Sequence, residues 1–335
     1  MTHEFLKILE SYKKAAKNKI RTVLATIVHV EGSSYRKEGT QMLIDENHQL
    51  TGALSGGCIE KEVTRQAASV FSSTTSKVFK YDGRYRLGCE GSIYILLELF
   101  EPSDELLVAI ENAIEKRTGF SIACSFLPQE ISKQSFGTTF EFNKKSFFHT
   151  HYKQDSGNLI YRYLYKPLDR LYIFGVEHDA KKLSEIASFL GWEVIILATE
   201  QCDCSGREFP FAKAVQVISL DNFDLSLISE NSALVVMSHN YAKDLRFLLQ
   251  VITAKLSYIG ILGPVHRREK LLHDIIETNF MIDEEIFNKI HGPVGLPIGG
   301  ETPEEIALSI MAEIVSDFKL KNRTENSVSI GSNRS

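Results

Sequence analysis

After Lys166-Pro167 the chain settles into an alternation of short apolar runs and amphipathic stretches, and this beat restricts the fold more than any other feature of the sequence. Proline disfavours helix in the residue before it, and the apolar run Leu171 to Phe174 begins directly afterwards. A helical pattern then carries Leu183, Ile186, Ala187 and Leu190 on one face, stops at Gly191, and gives way to a second run, Trp192 to Leu197. The same reading predicts strands at Ala214 to Ser219, Ala233 to Met237 and Leu256 to Leu262, with helices around Ala242 to Ile252 and His266 to Ile276. Strands that alternate with helices pair in parallel through right-handed crossovers, so residues 167–320 are expected to form a Rossmann-like, doubly wound parallel sheet. Thr302-Pro303-Glu304-Glu305 is a capping box with proline at the first helical position, and it opens a last helix with Ile306, Ile310, Met311, Ile314, Val315 and Phe318 on its apolar face. The polar residues 321–335 are expected to be a disordered tail.

Residues 1–166 lack this beat and are expected to form a separate, mixed α+β domain, making the whole an α/β protein. The apolar residues Phe5, Leu6, Leu9, Tyr12 and Ala16 recur at helical spacing, which predicts an amphipathic packing helix and not an export signal. Strand-like runs follow at Thr22 to Val30, Thr40 to Ile44, Lys77 to Tyr81 and Ser92 to Phe100. Helical spacing marks Ile59, Val63, Ala67, Val70 and Phe71, and again Leu106, Leu107, Ile110 and Ile114. Residues 119–165 read as irregular β structure with aromatic clusters.

Composition narrows the function classes. The 38 basic residues fall short of the 43 acidic ones, a formal charge of −5, which lacks the basic excess of a nucleic-acid binder. No apolar run is long enough to span a bilayer, so no membrane partner is expected. Five cysteines in 335 residues do not look like a disulfide framework and suggest reduced thiols in a cytoplasmic protein.

Three strings in the first half have the chemistry of a ligand site. Ser55-Gly56-Gly57-Cys58 places unobstructed backbone N–H groups at a helix N-terminus, the arrangement that cradles anions, and the dipole there favours a thiolate at Cys58. A tight glycine turn with a buried structural cysteine explains the string equally well. Leu87-Gly88-Cys89-Glu90-Gly91 is a second glycine-flanked thiol. Gly32 to Gly39 holds Ser33 and Arg36 between glycines, suited to a phosphate or carboxylate, and a solvated hairpin loop accounts for it nearly as well.

The Rossmann-like half departs from the dinucleotide fingerprint. The first turn reads Gly175-Val176-Glu177-His178-Asp179-Ala180, with glutamate in place of the middle glycine, and the second strand ends at Ala198 without the acid that holds a ribose hydroxyl. An NAD(P)-dependent oxidoreductase, the alternative reading, loses both anchors. The carboxyl ends of strands in such a sheet are where ligands sit, which singles out His178, His239, Gly263 and Arg267 as residues of one crevice. Each histidine taken singly fits a hydrogen-bonded structural role better than a catalytic one.

Taken together, Glu31-Gly32-Ser33-Ser34 with Arg36 and Gly39, Gly52-Ala53-Leu54-Ser55-Gly56-Gly57-Cys58-Ile59-Glu60, and Leu87-Gly88-Cys89 resemble the N-terminal domain of the XdhC/CoxI family of xanthine dehydrogenase accessory factors. Phe174-Gly175 with His178 and Ala180, Val236-Met237-Ser238-His239, Gly260 to Gly263, and His291 to Leu296 resemble that family's Rossmann domain. The resemblance implies a maturation factor, more a cofactor chaperone than an enzyme. Such a factor binds the molybdenum cofactor, a molybdopterin, and loads it in sulfurated form into the large subunit of a xanthine dehydrogenase-like molybdenum hydroxylase. It also implies a homodimer and a cysteine desulfurase as further partner. On this reading Ser33, Arg36, Ser55, Gly56, Gly57, Cys58, Glu60 and Cys89, with Gly175, His178, His239, Gly263 and Arg267 in the second half, hold the cofactor. Cys58 and Cys89 then contact the molybdenum or its sulfur.

Overall fold

The computed structural model describes residues 2–55, 57–83, 91–143, 145–148, 155–199, 206–221, 223–229, 232–278, 284–287 and 289–329; the side chains of Cys58, Leu227, Glu284, Glu285 and residues 321–329 fall outside that description. The chain divides into two compact units, Met1–Leu168 and Asp169–Ser335.

The first unit is built on a five-stranded antiparallel sheet of β1 (Thr22–Glu31), β2 (Gln41–Asp45), β3 (Leu50–Gly52), β4 (Lys77–Asp82) and β5 (Ser92–Leu99), in the order β3-β2-β1-β5-β4. β1 and β5 read as continuous apolar runs because both faces of the sheet are covered. On one face Val23, Ala25, Ile27, Ile93, Ile95 and Leu97 meet Ile59, Val63, Ala67 and Val70 of α2 (Cys58–Ser73). On the other, Leu24, Val28, Tyr94 and Leu96 pack with α1 (Thr2–Lys17), α3 (Asp104–Glu115) and a second sheet. That sheet contains β6 (Phe120–Phe126), β7 (Gly137–Phe142), β8 (Lys145–Phe148) and β9 (Leu159–Tyr165), ordered β8-β7-β6-β9 and antiparallel throughout. The stretch that reads as irregular is thus largely regular sheet. Its pattern is hidden because the exposed side of β9 carries Ile160 and Leu164 opposite the half-buried Tyr161 and Tyr163, so no polar–apolar alternation marks the strand.

The second unit has the predicted alternation: β10 (Arg170–Phe174), α4 (His178–Phe189), β11 (Glu193–Thr199), β12 (Ala214–Ile218), β13 (Ser232–Val236), α5 (Tyr241–Val251), β14 (Tyr258–Ile261), α6 (Val265–Thr278), α7 (Glu284–Phe287), β15 (Ile290–His291) and α8 (Pro303–Ser329). The six strands are all parallel, ordered β12-β11-β10-β13-β14-β15. α4 and α8 cover one face through Leu183, Ala187, Ile310 and Ile314. α5 and α6 cover the other through Phe247, Leu248, Leu271 and Ile275. The capping box forms as its spacing requires: the Glu305 N–H donates to Thr302 Oγ1 at 3.3 Å, and Glu305 Oε2 accepts from the Thr302 N–H at 3.0 Å. No helix among the described residues is long and apolar enough to cross a membrane.

Candidate functional site

The antiparallel order of the first sheet decides where its loops go. β1 ends, β2 begins, β3 ends, β4 ends and β5 begins at the same edge, so residues 32–40, the described residues of the turn at 53–57, and Gly83 and Gly91 at the ends of the third loop all lie there. These loops carry all three strings singled out in the sequence. Two of them are in direct contact: a Cβ on Gly91 would lie 2.3 Å from the Ser33 carbonyl oxygen and 2.5 Å from that of Glu31, an approach only glycine permits. The Gly83 N–H donates to the Gly91 carbonyl at 3.0 Å, closing the third loop at its base. Cys89 lies within residues 84–90 of that loop, outside the described residues, as do Gly56 and the Cys58 side chain.

The turn before α2 already holds an anion, and it is the protein's own. Glu60 Oε1 accepts from the N–H groups of Leu54 (3.1 Å) and Ser55 (2.7 Å), and Oε2 accepts from the Gly57 N–H (2.8 Å) and the Ser55 hydroxyl (3.2 Å). Burial pushes the Glu60 carboxyl up, but hydrogen bonds from the Ser55, Glu60 and Gly57 N–H groups and from the Ser55 hydroxyl outweigh it and hold its pKa below the ordinary carboxylate value. The carboxylate therefore fixes the turn that delivers Cys58 to the first position of α2.

On the loop of residues 32–40, Arg36 reaches Glu4 of α1 with Nη1 at 3.1 Å, while its Nε is buried with no hydrogen-bond partner among the described residues. Ser33 is exposed. Beside them, Glu31 accepts from Tyr94 Oη (3.0 Å) and Lys80 Nζ (3.2 Å), and His29 Nδ1 lies 3.5 Å from Glu38. The hydrogen bonds from Lys80 and Tyr94 hold the Glu31 carboxyl below its ordinary pKa. Cys124, by contrast, is fully buried near Thr138, and burial pushes its thiol far up, so it is a core residue and no thiolate.

In the second unit Gly175 has φ 141°, and a Cβ there would lie 2.5 Å from the Met237 carbonyl oxygen, so the first turn hugs the end of β13. A crevice of about 150 Å³ opens beside it, lined by Gly175, Glu177, Thr199, Ser238 and Lys243 among others. His178 opens α4, and His239 follows β13 in a left-handed backbone conformation (φ 55°), with Nε2 3.5 Å from Asp179. Arg267 donates to the buried Asp244 at 2.7 Å, and Asp244 also accepts from the Ser238 hydroxyl at 2.5 Å. Gly263 gives room to Arg267, whose Cδ would be 2.7 Å from a Cβ at 263. His178, His239, Gly263 and Arg267 thus sit on the loops and helix starts that follow β10, β13 and β14, but of the expected residues only Gly175 lines the crevice itself. Sequence reasoning did not single out Lys243, Asp244 or Glu313. Glu313 accepts from Tyr258 Oη and the Gly295 N–H, both at 2.6 Å, and lies 3.4 Å from His291 Nδ1. Among the described residues no group of three or more His, Cys, Asp or Glu is arranged to hold a metal ion.

Comparison with known proteins adds independent findings. Residues 15–82 match the model of the XdhC and CoxI family, and residues 171–314 match that of the XdhC Rossmann domain. The chain is 30% identical over 322 residues to a probable xanthine dehydrogenase subunit of Bacillus subtilis (strain 168), spanning 89% of this chain and 93% of that protein. It is 24% identical over 299 residues to the molybdenum cofactor insertion chaperone PaoD of Escherichia coli (strain K12), spanning 88% and 82%. Its fold matches the crystal structure of a xanthine dehydrogenase from Bacillus halodurans with a TM-score of 0.77 at 27% identity, covering 95% of this chain and 96% of that one.

Proposed function

Because this chain belongs to the XdhC and CoxI family, we propose that it is a cytoplasmic accessory factor that binds the molybdenum cofactor and delivers it, sulfurated, to a xanthine dehydrogenase-type molybdenum hydroxylase. The observation that supports the reading is that the segment holding Ser33 and Arg36, the turn leading into α2, and Gly83 and Gly91 at the two ends of the third segment lie at one edge of the first sheet. The similarity to a protein named as a molybdenum cofactor insertion chaperone supports it. The residues present suit such a group: Arg36 Nε is a buried donor without a partner among the described residues, suited to a phosphate, and thiols are the soft ligands a molybdenum–sulfur centre accepts. When bound, the cofactor supplies a metal centre with a transferable sulfur. On this reading Arg36 and Ser33 would hold the phosphate end, Cys58 and Cys89 would supply soft ligands to the metal end, and Ser55, Gly56 and Gly57 would act with Glu60 to position Cys58. Gly175, His178, His239, Gly263 and Arg267, proposed as further contacts, belong to the second unit. A cysteine desulfurase as the sulfur source and a homodimeric state complete the proposal and follow from the family resemblance.

The test is cofactor retention. Purified full-length protein supplied with the molybdenum cofactor should carry it through native mass spectrometry, Cys58→Ala and Cys89→Ala should each lower the retained fraction, and the loaded protein should activate a cofactor-free hydroxylase. A wild-type protein that retains nothing would overturn the reading.

A further inference from the structure

We infer that the crevice of the second unit is a binding site for a phosphomonoester, with Lys243 as its cation. β11 and β13 flank β10 on opposite sides, so the strand order reverses there, and ligands of open α/β sheets sit at such switch points beyond the carboxyl ends of the strands. The crevice is at that place, formed by the ends of β10 and β11, the start of the turn into α4, Ser238 after β13, and Lys243 from α5.

The charge at its first turn is the reverse of that in a dinucleotide site. There, glycines leave space for the pyrophosphate at the first turn, and the end of the second strand carries an acid for the ribose hydroxyls or a cation for a ribose 2′-phosphate. Here Glu177 occupies the turn, and the end of β11 carries Thr199, to whose hydroxyl Lys243 Nζ donates at 3.3 Å. A dinucleotide would set its pyrophosphate against the Glu177 carboxylate, whether its ribose end carries hydroxyls or a phosphate that Lys243 could meet. A ligand with one compact anionic group placed over β11 meets the cation and avoids the acid.

Lys243 has donors to spare. An ammonium has three, and Thr199 accepts one. Among the described residues no carboxylate pairs with Lys243, and Asp244 beside it in sequence is committed to Ser238 and Arg267. A half-buried ammonium with a single neutral partner, facing a cavity, is the chemistry of an anion site. The volume of about 150 Å³ lies below the roughly 300–1,000 Å³ of pockets that engulf whole drug-sized ligands. It suits the phosphoryl end of a ligand whose organic part lies outside.

Isothermal titration of the full-length protein with 5′-AMP, inorganic phosphate and NADH tests the proposal and separates an ester from the free ion. Binding of 5′-AMP is expected, weakened at least about tenfold in Lys243→Gln and kept within about threefold in Lys243→Arg, since one charge-assisted contact is removed in the first and retained in the second. NADH should bind more weakly than 5′-AMP, and Glu177→Gln should narrow that gap by removing the acid from the turn. Unchanged binding in Lys243→Gln, NADH binding as tight as 5′-AMP, or capture of inorganic phosphate with exclusion of 5′-AMP would each overturn it. Cofactor retention through Cys58 and Cys89 is a separate readout, so either proposal can fail while the other stands.

Discussion

Substituting Glu60 by glutamine keeps one acceptor oxygen and turns the other into a donor that faces N–H groups, so part of the turn before α2 loses its partners. The expected loss is about 2 kcal/mol in urea unfolding, the cost of leaving a buried donor unsatisfied. The effect should depend on pH in a defined direction. The Glu60 pKa is lowered by folding, so its contribution is complete above the ordinary value of 4.5 and is lost as pH falls through the folded value. The wild-type stability curve should therefore drop on acidification, and the Glu60→Gln curve should drop less; parallel curves would refute this. At this scale the sequence was only half legible. Glu60 could be placed in the first turn of a helix, but a glycine turn built around an internal carboxylate and one built for an outside anion have the same residue spacing. Lys243 was hidden for a different reason. It lies on the polar side of an ordinary amphipathic helix, and only the fold brings it to Thr199, 44 positions away.

Strands and helices were easier to read, because burial on both faces leaves long apolar runs, as in β1, β5, β10 and β13. What escaped were pieces too short to show a period, such as β3 and β15, and the second sheet, whose exposed face is itself partly apolar. The meeting of loops is also a property of elements: it follows from the antiparallel order of five strands and from the contact at Gly91. Gly91→Ala would force its Cβ into the Ser33 and Glu31 carbonyls and push the two loops apart. A loss of about 1–3 kcal/mol in chemical denaturation is expected, the usual range for overpacking, with cofactor retention falling along with it. Wild-type stability and retention in this variant would mean that the close approach does not matter to the site.

At the level of the molecule, each hydrophobic core is composed of residues from one unit: two cores lie within Met1–Leu168 and two within Asp169–Ser335. A cut between Leu168 and Asp169 severs no core, so residues 1–168 and 169–335 expressed separately should each show native-like circular dichroism and a single cooperative melt. A half that gives no cooperative transition would show that its core needs the other. The division between the units falls just after Lys166-Pro167, where the beat of the sequence changes. The strand order of the first sheet also governs the birth of the chain. β1 is central, hydrogen-bonded through Glu31 to Ser92 at one end and Val23 to Leu99 at the other. Its second neighbour therefore leaves the ribosome only after dozens of further residues, several seconds at about 5–20 residues per second. For that interval a largely apolar, central strand has one edge open, which makes the nascent N-terminal half the stage at which this protein most needs protection from aggregation.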